Sequence, residues 1–345
     1  MTYFTGIDVS LRSVSICVID EEGAIKFEGK VASDVEAIVS VLQKKLGAQI
    51  RQIGLEAGTL TQYLTYGLRA AGYEVICLEA RHVAATLAAM RNKTDRNDAR
   101  GLAQILRSGW YRTVYVKSAQ SHQTRALLTS RKAVLSKCID LENELRGLLK
   151  VLGVRLPMRV GHGSFDALIR GHLQHHPDWA AALLPLLDAR TMLYQTFLKL
   201  EYAVRSKARQ DPVCQRLMTV PGIGPVSSLT FKSAVDDPAR FRSSRTVAAH
   251  FGLTPRRFQS GESDSPGRIS KAGDAGVREA LYTAAHALLR RSDAWSTLKA
   301  WGLRLAKTRG HRRAVTAVAR KLAVILHQMW VRATDFQPRR PKATA

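Results

Sequence analysis

The sequence predicts a mixed α/β domain over residues 1–112, followed by a chain that is mostly α-helical. Three observations carry this reading. Residues 3–31 hold three strand-like runs joined by short polar turns. Strand character then alternates with helical apolar spacing as far as Ser108. Beyond residue 115 the strand signal disappears and helical spacing takes over. A meander followed by helix-separated strands indicates one mixed sheet.

Tyr3 to Val9 and Ser13 to Ile19 read as two strands, and Ala24 to Val31 as a third after the Glu21-Glu22-Gly23 turn. Val35, Ile38, Val39, Leu42 and Leu46 give helical spacing over Val35 to Leu46. Gln52 to Leu55 is a short buried strand running into Glu56. Leu60 to Ala71 is a helix closed by Gly72, and Tyr73 to Leu78 a fifth strand. Arg81 to Met90 and Thr94 to Ser108 read as helices. Leu127 to Leu152 is a long helix, broken by the Gly/Pro/His-rich stretch from Gly153 to Gly163. Helical spacing resumes from Phe165 to about Ala208, so residues 113–210 form a helical linker, either an antiparallel arm or a dimerising coiled coil. Residues 211–333 form a mostly helical C-terminal domain interrupted by a Gly/Ser/Pro-rich loop between Gly252 and Gly273. Its last helix, His311 to Trp330, has Val315, Val318, Leu322, Ile325 and Met329 at core spacing. Residues 334–345 read as a disordered basic tail.

The chain of 345 residues has a net charge of +25, unevenly spread. Residues 1–110 carry 13 Lys/Arg against 12 Asp/Glu, residues 111–254 carry 21 against 10, and residues 255–345 carry 19 against 6. A polyanionic partner is the usual reason for such asymmetry, because each neutralised phosphate releases condensed counterions. Cys17, Cys77, Cys138 and Cys214 are far apart and form no C-x-x-C pair, so neither a zinc finger nor a disulfide framework is expected. No apolar run has the length of a membrane span, and the N-terminal residues lack a signal-peptide pattern. A cytoplasmic protein without a membrane partner is expected. His172, His175 and His176 read as surface residues.

Four carboxylates stand out. Asp8 ends the first strand in Gly6-Ile7-Asp8, and Glu56 ends a later one in Gly54-Leu55-Glu56. Burying either bare is costly, so each must be solvated, paired or metal-bound. Asp95 and Asp98 lie three apart at a helix start, on one face. Each alone has a plainer explanation, as a first-turn acid favoured by the helix dipole or as a turn-initiating aspartate. The four together, in strand–strand–helix order, fit a site for two Mg²⁺ ions about 4 Å apart acting on a phosphodiester. The arrangement resembles the ribonuclease-H-like fold, and within it the RuvC-type junction resolvases. The actin-like ATPases open similarly but need a Gly-rich loop where Ser10-Leu11-Arg12 stands, so an ATPase is disfavoured.

Leu217 to Pro225 contains Pro221-Gly222-Ile223-Gly224, which matches the hairpin of helix–hairpin–helix DNA-binding elements. Gly222 and Gly224 would let backbone N–H groups meet a phosphate, although a plain helix–helix turn has the same composition. Further on, Gln259-Ser260-Gly261 is followed by Gly267-Arg268-Ile269-Ser270-Lys271-Ala272-Gly273-Asp274 and Arg278. With the four acids and the Pro-Gly-Ile-Gly turn, this stretch resembles the DEDD transposases of insertion sequences. They are Piv-invertase-like, bridge-RNA-guided recombinases, and the resemblance spans essentially the whole chain.

The resemblance implies a RuvC-like domain carrying Asp8, Glu56, Asp95 and Asp98, and a C-terminal domain in which Ser260 forms a covalent phosphoserine link to DNA. Arg268, Lys271 and Arg278 would neutralise the attacked phosphate, whereas from composition alone Ser260-Gly261 is one Ser–Gly turn pair among several loop serines. It further implies donor and target DNA, a structured noncoding guide RNA, a homo-oligomer, and a prokaryotic cytoplasm with action on the nucleoid. Two other functions fit parts of the sequence. One is a junction resolvase that hydrolyses through the carboxylates alone; the other is a nucleic-acid-binding protein with a decayed catalytic domain.

Overall fold

The computed structural model describes residues 2–46, 50–88, 92–261 and 263–338. The chain forms two compact units, Met1–Lys117 and Ser118–Ala345.

The first unit is a five-stranded sheet between two helical layers. Strands β1 (Tyr3–Val9), β2 (Ser13–Ile19) and β3 (Ile25–Ala32) form the antiparallel meander. Helix α1 (Val35–Leu46) leads to β4 (Ile50–Glu56), and α2 (Thr61–Ala70) leads to β5 (Val75–Leu78). β4 pairs parallel to both β1 and β5, giving the order β3-β2-β1-β4-β5. This is the ribonuclease-H-like arrangement that the sequence resemblance implies. Alternation along the strands builds two cores. Ile7, Val14, Ile16, Val18, Ile53 and Leu55 face α1 and α2. Phe4, Cys17, Ile19 and Leu78 face α3 (Ala80–Leu87) and α4 (Asp95–Ser108). The expected extension of the α3 region to Met90 lies outside the described residues.

The second unit is helical with one β-hairpin. α5 (Ala119–Leu149) starts eight residues before the predicted Leu127, because Ser118 caps it by accepting from Ser121 N. Its polar first two turns carry no apolar spacing, which hid that start. The stretch read as continuous from Phe165 is two helices, α6 (Phe165–Leu173) and α7 (Pro177–Gln210); Pro177 at the first turn has no N–H to continue α6. α5 packs along α7. Short α8 (Pro212–Leu217) and α9 (Pro225–Val235) are joined by the glycine turn, followed by α10 (Ser244–His250).

The predicted loop between Gly252 and Gly273 is instead a two-stranded antiparallel sheet, β6 (Pro255–Ser260) and β7 (Ser263–Ile269). Its Arg, Ser, Gly and Pro content masks strand propensity, and Gly261 in left-handed backbone (φ 57°) reverses the chain. α11 (Ala275–Arg290), α12 (Thr297–Arg309) and α13 (His311–Arg332) complete the unit, and Val315, Val318 and Leu322 are buried as expected. Of the tail expected to be disordered from Thr334, residues 334–338 are placed against the unit, and residues 339–345 lie outside the described residues. Phe336 N donates to Thr219 Oγ1 at 3.0 Å and its ring packs on the core, while Pro338 O accepts from Thr297 N.

A buried ion pair holds α5, α7 and the intervening loop together. Arg190 is 1% exposed, donates from Nε to Glu142 Oε1 at 2.9 Å, and is flanked by the Phe165 and Tyr194 rings, each 5.0 Å from its guanidinium carbon. Its Nη2 also donates to His162 O at 2.7 Å. Removing one partner of a buried pair leaves the other charge uncompensated. Arg190→Met should therefore cost about 3–5 kcal/mol in urea unfolding. Arg190→Met with Glu142→Leu should recover most of that loss, and a double variant no more stable than the single one would contradict the assignment.

Candidate functional site

The candidate site begins with the strand register. Gly6 of β1 lies opposite Gly54 of β4, and Ile7 opposite Leu55. Two residues further along, Asp8 and Glu56 follow on the same face, toward α4. A Cβ on Gly6 would stand 2.2 Å from Ala99 O and 2.4 Å from Ala103 N; one on Gly54 would stand 2.5 Å from the Leu106 side chain. At Gly6, where the contact is with helix backbone, only glycine admits the helix so close. α4 thus lies against the strands whose ends carry Asp8 and Glu56.

α4 itself begins with a well-formed cap. Thr94 is extended (φ −143°, ψ 150°) and its hydroxyl accepts from Asn97 N at 3.2 Å, while Asp98 N donates to Thr94 O. The first turn therefore holds Asp95 and Asp98, where the helix dipole favours negative charge.

Asp8 feels the charge of the other three carboxylates. The Asp8 pKa is raised to about 6, by burial first and then by Asp98, Asp95 and Glu56, against an opposing pull from Lys93. Glu56 is raised too, mainly by burial, with Lys93 lowering it and Asp98 raising it. Each acid thus adds to the cost of ionising Asp8, which is the situation a bound cation relieves. Their oxygens are looser than a closed ligand cage. Among the described residues, three or more His/Cys/Asp/Glu ligand atoms lie within 4.8 Å of one another at Cys138, Glu142 and His162. Arg190 already occupies that Glu142, so the cluster is the polar centre of the α5–α7 pair.

Sequence reasoning missed the residues that grip α4. Glu28 on β3 accepts from Arg96 Nε at 2.8 Å and Arg100 Nη2 at 3.0 Å, with two still shorter contacts to the same guanidiniums. Hydrogen bonds from Arg100 first, and then Arg96, hold its carboxyl down at about 2 against the effect of burial. Lys30, two residues along β3, meets Asp95 Oδ2 at 3.1 Å. Glu28, Lys30, Asp95 and Arg96 line a groove of about 680 Å³ together with Ser15 and Thr94. The available signal was weak: an i,i+4 arginine pair beside two candidate ligands, and a same-face Glu and Lys on the distant β3.

In the second unit, Ser260 is the last residue of β6, paired through its backbone with Ser263; its side chain lies outside the described residues. Gly222 has φ 93°, and a Cβ there would meet Ala284 O at 2.5 Å, so close packing on α11 already requires glycine. Gly224 caps α9 with open space beside it. Arg268 is exposed, and Lys271 has φ 55° with its N–H on Gly252 O. Arg278 Nη1 donates to Ala272 O at 2.6 Å and Gly273 O at 3.1 Å, stapling the base of the hairpin.

A mixed sheet with clustered acids at the ends of its strands and the start of α4, followed by a basic helical unit, defines a protein class that comparison makes specific. The profile described as "Transposase IS116/IS110/IS902 family" matches residues 214–300, and a DEDD transposase profile of the IS110 type matches residues 5–153. A probable family 20 transposase of Pseudomonas aeruginosa is 30% identical over 295 residues, covering 83% of this chain and 86% of its own. The transposase for insertion sequence element IS1111A of Coxiella burnetii is 28% identical over 341 residues, covering 96% and 90%. A solved chain of T. thermophilus RuvC in complex with a Holliday junction substrate matches at 12% identity and TM-score 0.26, covering 33% of this chain and 100% of that one, too little to argue from. The chain belongs to the IS116/IS110/IS902 family of insertion-sequence transposases.

Two outcomes test this geometry. A raised folded-state pKa means that the Asp8 contribution is full below pH 4 and is lost as pH rises through 6. In chelator-treated protein at pH 7, Asp8→Asn should therefore be more stable than the parent by about 1–2 kcal/mol after screening. The difference should vanish near pH 4, and an unchanged difference across that range would refute it. Glu28→Gln should speed amide hydrogen exchange over residues 95–100 more than in the rest of the unit, which mass spectrometry of peptides can resolve.

Proposed function

We propose that this transposase cuts and rejoins DNA at a composite site, in which Asp8, Glu56, Asp95 and Asp98 hold Mg²⁺ and Ser260 is the nucleophile. The observation that carries the metal half is the cost that burial and the other three acids add to charging Asp8, which is pushed up to about 6. The donor set is all hard oxygen, which suits Mg²⁺, and two ions fit four carboxylates. When bound, the ions would supply charge neutralisation at the phosphodiester. The carboxylates orient them from two strand ends and one helix start. Protonation of Asp8 competes with that binding, so cation affinity weakens as pH falls toward 6 and below.

At Ser260 the Oγ–P bond forms as the P–O bond to the leaving deoxyribose oxygen breaks. The hydroxyl proton passes to base and the leaving oxygen gains one. The reverse step, with the hydroxyl of another strand attacking phosphorus, restores the serine and rejoins DNA. Arg268 and Lys271 lie within eleven residues of Ser260 along the hairpin segment, and with Arg278 they supply positive charge there. The α8–turn–α9 segment acts as a helix–hairpin–helix phosphate contact through Gly222 and Gly224. Residues 113–210 serve as an arm between the catalytic domain 1–112 and the C-terminal domain 211–333. A structured guide RNA selects the donor and target sites, and the working form is a homo-oligomer acting on nucleoid DNA. The second reading, hydrolysis by the acids alone as in a junction resolvase, is favoured by one observation: all four acids belong to the first unit.

Purified protein incubated with its flanking DNA, the adjacent noncoding RNA and Mg²⁺ should give a covalent protein–DNA adduct on denaturing gels. Ser260→Ala and Asp8→Ala should each abolish it. Strand cleavage that persists in Ser260→Ala without an adduct would establish the hydrolytic reading instead.

A further inference from the structure

The second unit holds a cleft of about 490 Å³ beside α10 and the end of α13, away from every residue assigned above. Arg242, Arg245 and Arg332 line it, all three exposed, and no acidic residue does. None of the three has an ion-pair partner among the described residues. Three unpaired guanidiniums round one concavity repel each other and call for an anion.

The floor is polar but neutral. His327 is 2% exposed, and its Nε2 donates to Pro238 O at 3.0 Å, which leaves Nδ1 to accept from Ser244 Oγ at 2.9 Å. Burial holds the ring's pKa below its usual value, helped by Arg240. The walls are apolar. The Phe241 ring, with the Arg240 guanidinium over it at 4.4 Å, stands edge-on to His327, with centroids 5.4 Å apart, and Val331, 57% exposed, also lines the cleft. A cationic rim over an apolar wall suits a ligand with an anionic end and a flat, weakly polar body. The volume lies in the ordinary range for a small-ligand pocket.

We propose that this cleft binds one nucleotide of a single-stranded nucleic-acid segment, with its phosphates on Arg242, Arg245 and Arg332 and its base against Phe241 and Val331. The strand is single because a paired base enters a concave site only after unpairing and unstacking, a cost that an unpaired base does not meet. An acidic peptide would satisfy the arginines but leave the apolar wall unused. The inference requires no cleavage chemistry, so it stands or falls separately from the composite catalytic site.

The full-length protein should be titrated with labelled oligo(dT) and oligo(U) of about twelve nucleotides, and with a duplex of equal length, at several salt concentrations. Replacing Arg242, Arg245 and Arg332 together by alanine should weaken single-strand binding by about tenfold or more and reduce the log–log salt slope by about 1.4, at about 0.7 for each of the two phosphates that flank one nucleotide. Duplex binding should change by less than about threefold, the size of one weak surface contact. The same charge loss on α12, by Arg304→Ala, Lys307→Ala and Arg309→Ala, should leave single-strand binding nearly intact. Equal losses on duplex and single strand, or equal losses from the α12 variant, would reduce the cleft to general basic surface and overturn the proposal. So would polyglutamate competing as well as the oligonucleotides. A 4-thiothymidine strand should crosslink to peptides containing Phe241 or Val331; crosslinks confined elsewhere would also overturn it. Whether oligo(dT) or oligo(U) binds more tightly identifies DNA or RNA as the source of the strand.

Discussion

The candidate metal site depends on how closely α4 approaches β1. With Ala99 O and Ala103 N filling the space where a Gly6 side chain would stand, the helix cannot slide along the sheet without colliding with it. That contact fixes the height of the first turn of α4 over the strand ends. The geometry of Asp95 and Asp98 relative to Asp8 is thus set by a backbone contact, while the carboxylates themselves oppose the arrangement. Their repulsion has to be offset elsewhere in the unit, by the two apolar cores on either face of the sheet and by the Glu28 clamp on Arg96 and Arg100.

The clamp gives one unit both a carboxylate with a depressed pKa and, at Asp8 and Glu56, carboxylates whose ionisation is disfavoured. Glu28 lies between two guanidiniums and stays charged, while Asp8 lies among like charges and burial and resists charging. Environment alone separates them. The same helix carries both the ligand candidates and the arginines that anchor it. Sliding, fraying or rotating its first turn would disturb both sets together.

Much of the first unit could be read from sequence because its signals are local. Strand-like apolar runs joined by a short polar turn located β1 and β2 to the residue, and the helix read from Thr94 to Ser108 begins one residue later, at Asp95. The four acids stood out because three elements end or begin on them. The Glu28 clamp was hidden because its partners are 68 and 72 residues away. The arginine cleft was hidden for the same reason, since residues 241–245 meet residues 327–332 only after folding. In the second unit the β-hairpin was missed because its residues are poor strand formers, and pairing with each other overrides that preference. Thr334 to Pro338 looked like a tail because short apolar anchors such as Phe336 carry no periodicity. The motif around Ser260 was legible only as a resemblance, since spacing does not distinguish it from its neighbouring serines.

The β6–β7 hairpin is a two-stranded sheet with no third strand beside it among the described residues. Such a ribbon is marginal in water and presents an open row of N–H and C=O groups along each outer side. Copies of the protein at high concentration would join through those rows if nothing discouraged them. Pro255 at the start of β6, and the exposed Arg256, Arg257 and Arg268, are the residue types that natural sheets place there to keep strands apart. The hairpin arginines are thus of the type that guards against edge-to-edge aggregation. Neutralising them would lower solubility as well as any affinity for phosphate.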